Sequence, residues 1–244
     1  MTKEQKGMLI GMYFAKFENL ALDSLGFANF IEAFNIISLI AQINPNSLRN
    51  YRDEFAPAFP TKRLGWHKRE MNPSRKKILN LYYNLDLNDF TNLIKDIIYK
   101  NKEDRIIEEL ETEIENSTFA KRMLTGQATE NYFFENYKNI DLFKNGEILN
   151  TTKYGCGFDF KLNFENKYFA IEVKGLEKKE GSVALTNKEY KVAEKLKDNY
   201  FIFIVKNFIE KPEHIFFQNP IFSNQILFKK EEREVIQISY NFYV

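Results

Sequence analysis

Asp159, Glu172 and Lys174 place two carboxylates and an ammonium in one short stretch, residues 154–175, which reads as two strands joined by a polar turn. With Glu165 and Asn166 as a two-residue turn, Asp159 stands opposite Glu172, while Leu162 pairs with Phe169, Phe160 with Ile171 and Phe158 with Val173. Strand side chains alternate between faces, so the apolar pairs fill one face and Asp159, Glu172 and Lys174 share the other. Asp opposite Glu is a like-charge pair, unfavourable in a sheet unless a cation lies between them. Two carboxylates that leave room for water and phosphate suit one or two Mg²⁺ ions, which can activate a water and assist the leaving oxygen of a phosphodiester. The expected metal ligands are Asp159, Glu172 and the main-chain carbonyl of Val173. Lys174, on the same face, can orient the attacking water or stabilise charge at phosphorus. The plainer alternative is a surface hairpin with a salt bridge, an arrangement worth little.

The remainder of the chain must position this hairpin and bring a substrate to it. At 244 residues it is long enough for one large domain or two modest ones. Its longest apolar runs, such as residues 201–205, are far too short to span a bilayer, and the N-terminus lacks the pattern of a signal peptide. The single cysteine, Cys156, excludes an internal disulfide and any multi-cysteine zinc site, and agrees with a cytoplasmic location. The net charge of +1 hides a local excess: residues 49–77 carry nine basic and three acidic side chains. Phosphate binding depends on the local field, so this patch tells more than the total.

Residues 1–100 read as a helical domain. Helices are expected from Gln5 to Phe17 and from Phe27 to Gln42, the second ending at Asn44-Pro45 because proline disfavours helical geometry in the residue before it. Asn46 or Ser47 then caps a third helix that buries Leu48, Tyr51 and Phe55 and leaves Arg49, Asn50, Arg52 and Asp53 outward or at its flanks. Two helices around a short turn, with Arg and Asn near the start of the second, suit a helix-turn-helix or winged-helix-like unit, though an ordinary helical hairpin fits equally well. Arg can bond guanine and Asn adenine in the major groove. Pro57, Pro60 and Gly65 mark a loop or wing in which Arg63, His67, Lys68, Arg69 and Arg75 can line a phosphate path. Trp66 is available there for stacking, or for burial as a packing residue. Ser74 caps one further helix and Asp86 or Asn88 another.

Residues 101–119 form a charged stretch expected to be a helical linker, and the pattern changes in residues 120–244. Thr125-Gly126 breaks the chain before a helix that buries Phe133, Phe134 and Tyr137; the hairpin follows, then a helix with Thr186 and Glu189 in capping-box spacing, then a strand at 200–207 that is apolar on both faces. The fold class is therefore α+β: an N-terminal helical domain, then a mixed sheet flanked by helices.

Asp159, twelve intervening residues and Glu-Val-Lys in an apolar strand resemble the PD-(D/E)XK nuclease superfamily, whose fold is restriction-endonuclease-like. The wider run GFDF…FAIEVKG…LTNKEYKVAEKLKDNYFIFIVKN is similar to the domain named after the C-terminus of the NO VEIN protein, which also occurs in bacterial restriction enzymes; it covers roughly residues 120–220. Phe158 departs from the proline frequent at that position in the superfamily. The resemblance implies a catalytic set of Asp159, Glu172 and Lys174, assisted by Glu130 on the preceding helix; it also matches Glu189, which the capping box already explains. NSLRNYRDEFAPAFPTKRLGWHKR resembles the N-terminal region that accompanies such domains, which implies a DNA-reading module with Arg49, Asn50, Arg52, Arg63, His67 and Arg69 as contacts. The implied activity is Mg²⁺-dependent cleavage of double-stranded DNA at specific sites, which can include modified ones, by a homodimer, since one chain carries one site and two strands must be cut. A structure-specific repair nuclease and a non-catalytic DNA-binding protein are the alternatives.

Overall fold

The computed structural model of the chain describes residues 1–66, 68–99 and 118–232. The expected linker lies almost wholly outside these residues, as do His67 and the last segment of the chain. Seven α-helices and a five-stranded sheet are present among the described residues. α1 (Lys3–Leu25) starts at a capping box in which the Thr2 hydroxyl accepts from Gln5 N–H and the Gln5 side chain accepts from Thr2 N–H. It bends at Glu18, whose φ of 46° and ψ of −118° are non-helical. α2 (Phe30–Ala41) is capped by Asn29. Asn44-Pro45 does more than end α2. Asn44 caps α3 (Pro45–Phe55) by accepting from Asn46 N–H, and Pro45 takes the first helical position, where a missing N–H costs nothing. The same device recurs at α4 (Pro73–Tyr82), where Asn72, not Ser74, is the cap. Asp86 caps α5 (Leu87–Ile98).

α1 is the hub of this layer, with Tyr13 and Phe14 fully buried at its centre. α3 crosses it so closely that a Cβ built on Gly11 would lie 2.4 Å from Tyr51 Cβ and 2.8 Å from Arg52 N. The backbone of α3 would have to move to admit a methyl group. Gly11→Ala is therefore expected to lower stability by about 1–3 kcal/mol, read as a reduced urea midpoint with unchanged slope. A midpoint equal to that of the parent would mean that the helices part without cost. No strand occurs among the described residues of 56–72, so the two-stranded wing of a winged helix is absent there.

In the second half, α6 (Thr118–Asn136) runs straight through Gly126, which has nothing within 4 Å of its would-be Cβ; the expected break does not occur. Phe133 is buried on it and Tyr137 in the 3-10 turn that follows, whereas Phe134 is exposed. The sheet follows the order β1 (Glu147–Asn150), β2 (Phe160–Asn163), β3 (Tyr168–Leu176), β4 (Tyr200–Lys206) and β5 (Glu213–Gln218), antiparallel throughout except between β3 and β4. A parallel pair needs a crossover, and α7 (Asn187–Leu196) supplies it, opened by the expected Thr186/Glu189 capping box. β4 lies between β3 and β5 and is buried along all but its last residue.

The two faces of the sheet belong to two apolar clusters. Phe160, Leu162, Phe169, Ile171, Val173 and Phe203 meet α6 and join the same continuous cluster as the core of α1–α5. Ala170, Tyr200 and Ile202 meet Ala193 and Val192 of α7 on the other face. Among the described residues no single helix is long and apolar enough to cross a membrane; α1 and α2 meet that measure only together, at a bend of 79°. Their apolar residues form the helical core instead.

Candidate active site

The hairpin has the register expected of it. Phe164 N–H donates to Lys167 O across the two-residue turn at 2.8 Å, and Phe160 pairs with Ile171 and Leu162 with Phe169. The expectation fails one residue further on. β2 begins at Phe160, so Asp159 is not a cross-strand partner of Glu172, and Phe158 does not pair with Val173. Phe158 instead packs with Tyr200 and Val192 on the opposite face. The chain turns away here because residues 155–159 are held elsewhere. Thr151 N–H donates to Asp159 O at 2.8 Å, Thr151 Oγ to Phe158 O at 2.9 Å, and the buried Tyr200 hydroxyl to Gly157 O at 3.0 Å. Gly157 has φ +91° and lies against Val192, a conformation and a proximity that favour glycine.

This departure builds the site. Asp159 N–H still donates to Ile171 O, so the polar backbone groups of Ile171, and of Val173 two residues on, point toward the β2 side. With β2 gone, Val173 N–H is taken by the Asp159 carboxylate at 2.9 Å. The Val173 carbonyl oxygen therefore lies where the strands part, on the edge that carries Asp159. Glu172, one residue earlier, projects onto the α7 face and is 3% exposed. Lys174 follows on that face, its Nζ 2.7 Å from Glu172 Oε1 and 2.9 Å from Glu189 Oε2. Glu189 Oε2 also accepts from Thr186 N–H at 2.9 Å. Glu189 thus does two jobs, closing the capping box and holding Lys174. The capping-box spacing revealed the first; the second required α7 to fold back over β3.

The electrostatics are those of a crowded acidic site short of positive charge. Burial, and then the neighbouring charge of Asp159, push the Glu172 carboxyl up to about 8 despite Lys174 beside it. Burial also raises Asp159, against the opposing Val173 N–H and Lys174. Burial alone would lower Lys174, but Glu172 and Glu189 outweigh it and hold the ammonium above its ordinary value. Burial would raise Glu189, and the hydrogen bonds from Lys174 and Thr186 keep it low.

No three His, Cys, Asp or Glu side chains among the described residues converge as a metal cluster. The set is two carboxylates and a main-chain oxygen. Mg²⁺ characteristically takes one or two carboxylates and completes its shell with water and phosphate, so the donor set fits that ion while lacking a closed cage. Glu130 lies half-buried on α6, the helix against the opposite face of the sheet from Glu172.

The basic segment divides. Arg49, Asn50 and Arg69 are exposed. Arg52 is turned into the core, not outward: it is 6% exposed, bonds Asp53 at 3.0 Å, and covers the rings of Phe30 and Phe34. Its burial explains why the helix tolerates an inward arginine, since the ring faces and Asp53 replace the lost water. Arg63 lies over Phe30 and 3.5 Å from Asp53. Arg75 is held by Glu4 and Glu54, both at 3.3 Å, and covers Tyr51. Trp66 is half-buried beside a cleft of about 420 Å³, with the Arg69 guanidinium 4.4 Å from its ring centre.

Residues 129–217 match the family described as Protein NO VEIN, C-terminal. That span holds all of β1–β4, nearly all of β5, α7 and the Asp159–Glu172–Lys174 site. Comparison with curated proteins and with solved structures gives no match.

Proposed function

We propose that the chain is a Mg²⁺-dependent endonuclease of the PD-(D/E)XK type that cuts double-stranded DNA as part of a cytoplasmic restriction system, acting as a homodimer so that both strands are reached. The observation that carries this reading is the meeting of Asp159, Glu172, the Val173 carbonyl and Lys174 where β2 leaves β3. A like-charge pair with its carboxyls driven upward is an expensive arrangement for a merely structural hairpin. The match to the NO VEIN C-terminal family over the same residues supports a domain shared with that family.

Asp159, Glu172 and the Val173 carbonyl would hold the ion. A bound Mg²⁺ supplies Lewis-acid stabilisation of the phosphate and a water of lowered pKa. Lys174 contributes a fixed ammonium beside the attacked phosphorus, donating to the attacking water or to a phosphate oxygen. Glu189 keeps that ammonium charged and aimed. In the overall reaction water adds its oxygen to phosphorus, the P–O bond to the sugar breaks, and the released sugar oxygen takes up a proton. Arg49 and the other exposed cations of residues 49–77 supply the attraction to the phosphate backbone, which is salt-dependent and carries little sequence information.

The test is incubation with Mg²⁺ and plasmids that differ in base methylation. Discrete fragments are expected; cutting confined to junctions would instead indicate a repair nuclease, and no cutting under any condition would overturn the reading. Lys174→Gln is expected to lower the cleavage rate by about 10²–10³ while DNA affinity measured with Ca²⁺ in place of Mg²⁺ stays within about twofold. A variant that cuts like the parent would remove Lys174 from the chemistry.

A further inference from the structure

The cleft beside Trp66 is a second site, about 420 Å³, on the helical half of the chain and outside the residues matched to the NO VEIN family. Its volume falls in the range of pockets that take small molecules, about 300–1,000 Å³. One wall is α3, with Asn50, Tyr51 and Glu54; the other is the loop before α4, with Trp66 and Arg69. That loop is fixed. Trp66 N–H donates to Asp53 O at 2.8 Å, and Gly65, at φ +54°, lies so close that a Cβ there would sit 2.2 Å from the same oxygen. The indole is thus presented from a backbone bonded to α3, with the Arg69 guanidinium over its ring.

The charges of the lining select the ligand. Arg69 and Arg75 are balanced by Glu54 and Glu70, so the cleft has no net charge. Arg75 is occupied by Glu4 and Glu54. Glu70 is paired with Lys76, so a phosphate would find one guanidinium without a described ion pair, Arg69, which lies over Trp66 and is flanked by the carboxylates of Glu54 and Glu70. A cationic ligand would have to displace guanidinium groups that already lie over Trp66 and Tyr51. A neutral planar ring with hydrogen-bonding edges meets neither obstacle: it extends the Trp66–Arg69 stack and leaves its edge to the amide of Asn50, which no described hydrogen bond engages.

We infer that this cleft binds a nucleobase by its face, stacked on the Trp66–Arg69 pair with its edge read by Asn50. Bases within a duplex offer only their edges in the grooves, so on DNA the bound base is one rotated out of the stack. The choice of a nucleobase among planar rings rests on the proposed action on DNA; the existence of the site does not.

Trp66 is the only tryptophan in the chain, so its indole N–H gives a single resonance in a ¹⁵N-labelled sample of the full protein. Titration with deoxyadenosine, deoxyguanosine, deoxycytidine, 5-methyldeoxycytidine and thymidine is expected to shift it saturably for at least one nucleoside, and inorganic phosphate is expected to leave it in place. Asn50→Ala should weaken that binding by a factor of about 5–100, the worth of a bidentate amide–base contact. Asn50→Asp, which keeps an acceptor and loses the donor, replaces it if the first variant fails to fold. No saturable shift with any nucleoside overturns the inference, as does an equal shift with phosphate or unchanged affinity in the Asn50 variant. The plasmid assay separates this from the nuclease reading: cleavage without a nucleoside shift overturns the base site alone, and a nucleoside shift without cleavage supports it.

Discussion

Glu172→Gln is expected to abolish cleavage and at the same time make the protein more stable in alkaline solution. In the proposed nuclease the loss of activity, about 10³-fold or more, follows from removing an anionic metal ligand where charge would build up at phosphorus. The gain in stability follows from the buried carboxylate. Its ordinary value is 4.5 and the fold raises it to about 8. Between those values the folded chain retains a proton that the unfolded chain has released, so the folded state loses stability as the pH rises through this window. Glutamine has the same shape and no charge to bury, so its advantage should be absent near pH 4.5 and complete above pH 8. Lys174 keeps Glu189 as a partner in the variant. The advantage should be on the order of 2 kcal/mol, less than roughly 1.4 kcal/mol for every pH unit of the window, because Asp159 and Lys174 respond as Glu172 ionises. In a chain of this size that corresponds to a melting temperature higher by about 4–8 °C. Added Ca²⁺ should raise the melting temperature of the parent at pH 8.5 and leave the variant unmoved. If glutamine destabilises at every pH, the ion pair with Lys174 outweighs the cost of burial and the site is structural.

A second large effect is expected far from the chemistry, at Lys121. Its ammonium lies 2.9 Å from Glu32 Oε1 on α2 and 2.9 Å from Glu177 Oε2 just beyond β3. Glu32 is 0% exposed and also accepts from Ala28 N–H at 2.7 Å. Nearby, the buried Asn35 amide donates to Phe208 O and Glu210 O at the far end of β4. These contacts fasten the helical layer to the sheet, three residues from Lys174. Lys121→Met leaves Glu32 a buried charge without its cation and should cost about 3–5 kcal/mol, a fall in melting temperature on the order of 10 °C. Burial acts to lower the Lys121 pKa, but Glu177 and Glu32 reverse this and raise it, so the contribution is fully present at neutral pH and fades only in strong alkali. Adding Glu32→Met to Lys121→Met should restore much of the loss, because an apolar pair of similar volume has no charge to desolvate. A single variant as stable as the parent would show that water reaches Glu32.

Local rules made much of this fold legible. Period-two alternation and a two-residue turn gave the β2–β3 register; the apolar run at 200–207 identified a strand buried on both faces, observed over Tyr200–Lys206; Thr186 and Glu189 announced the start of α7. Caps were legible in kind but not always in place, since Asn44 and Asn72 each precede a proline that can open a helix as readily as it ends one. Gly126 misled as a breaker because its cost of about 1 kcal/mol within a helix is outweighed by the apolar contacts of Leu124, Ala128 and Phe133. Arg52 misled because a cation is assigned to the surface by composition alone, whereas Phe30 and Phe34 arrive from α2 to receive it, beside the adjacent Asp53.

The sequence by itself determined which side chains occupy the hairpin and that Glu172 and Lys174 share a face, because strand geometry is local and its period is fixed. The tertiary structure alone decided that Asp159 leaves the ladder to bind Val173 N–H, because Thr151 and Tyr200 pull residues 157–159 aside. It also decided that Glu189 holds Lys174, and that α7 covers the site deeply enough to raise Glu172. Ionisation depends on what surrounds a carboxyl in three dimensions, and those neighbours come from α7, β4 and the loop before β2, none of which adjoins Glu172 in the chain.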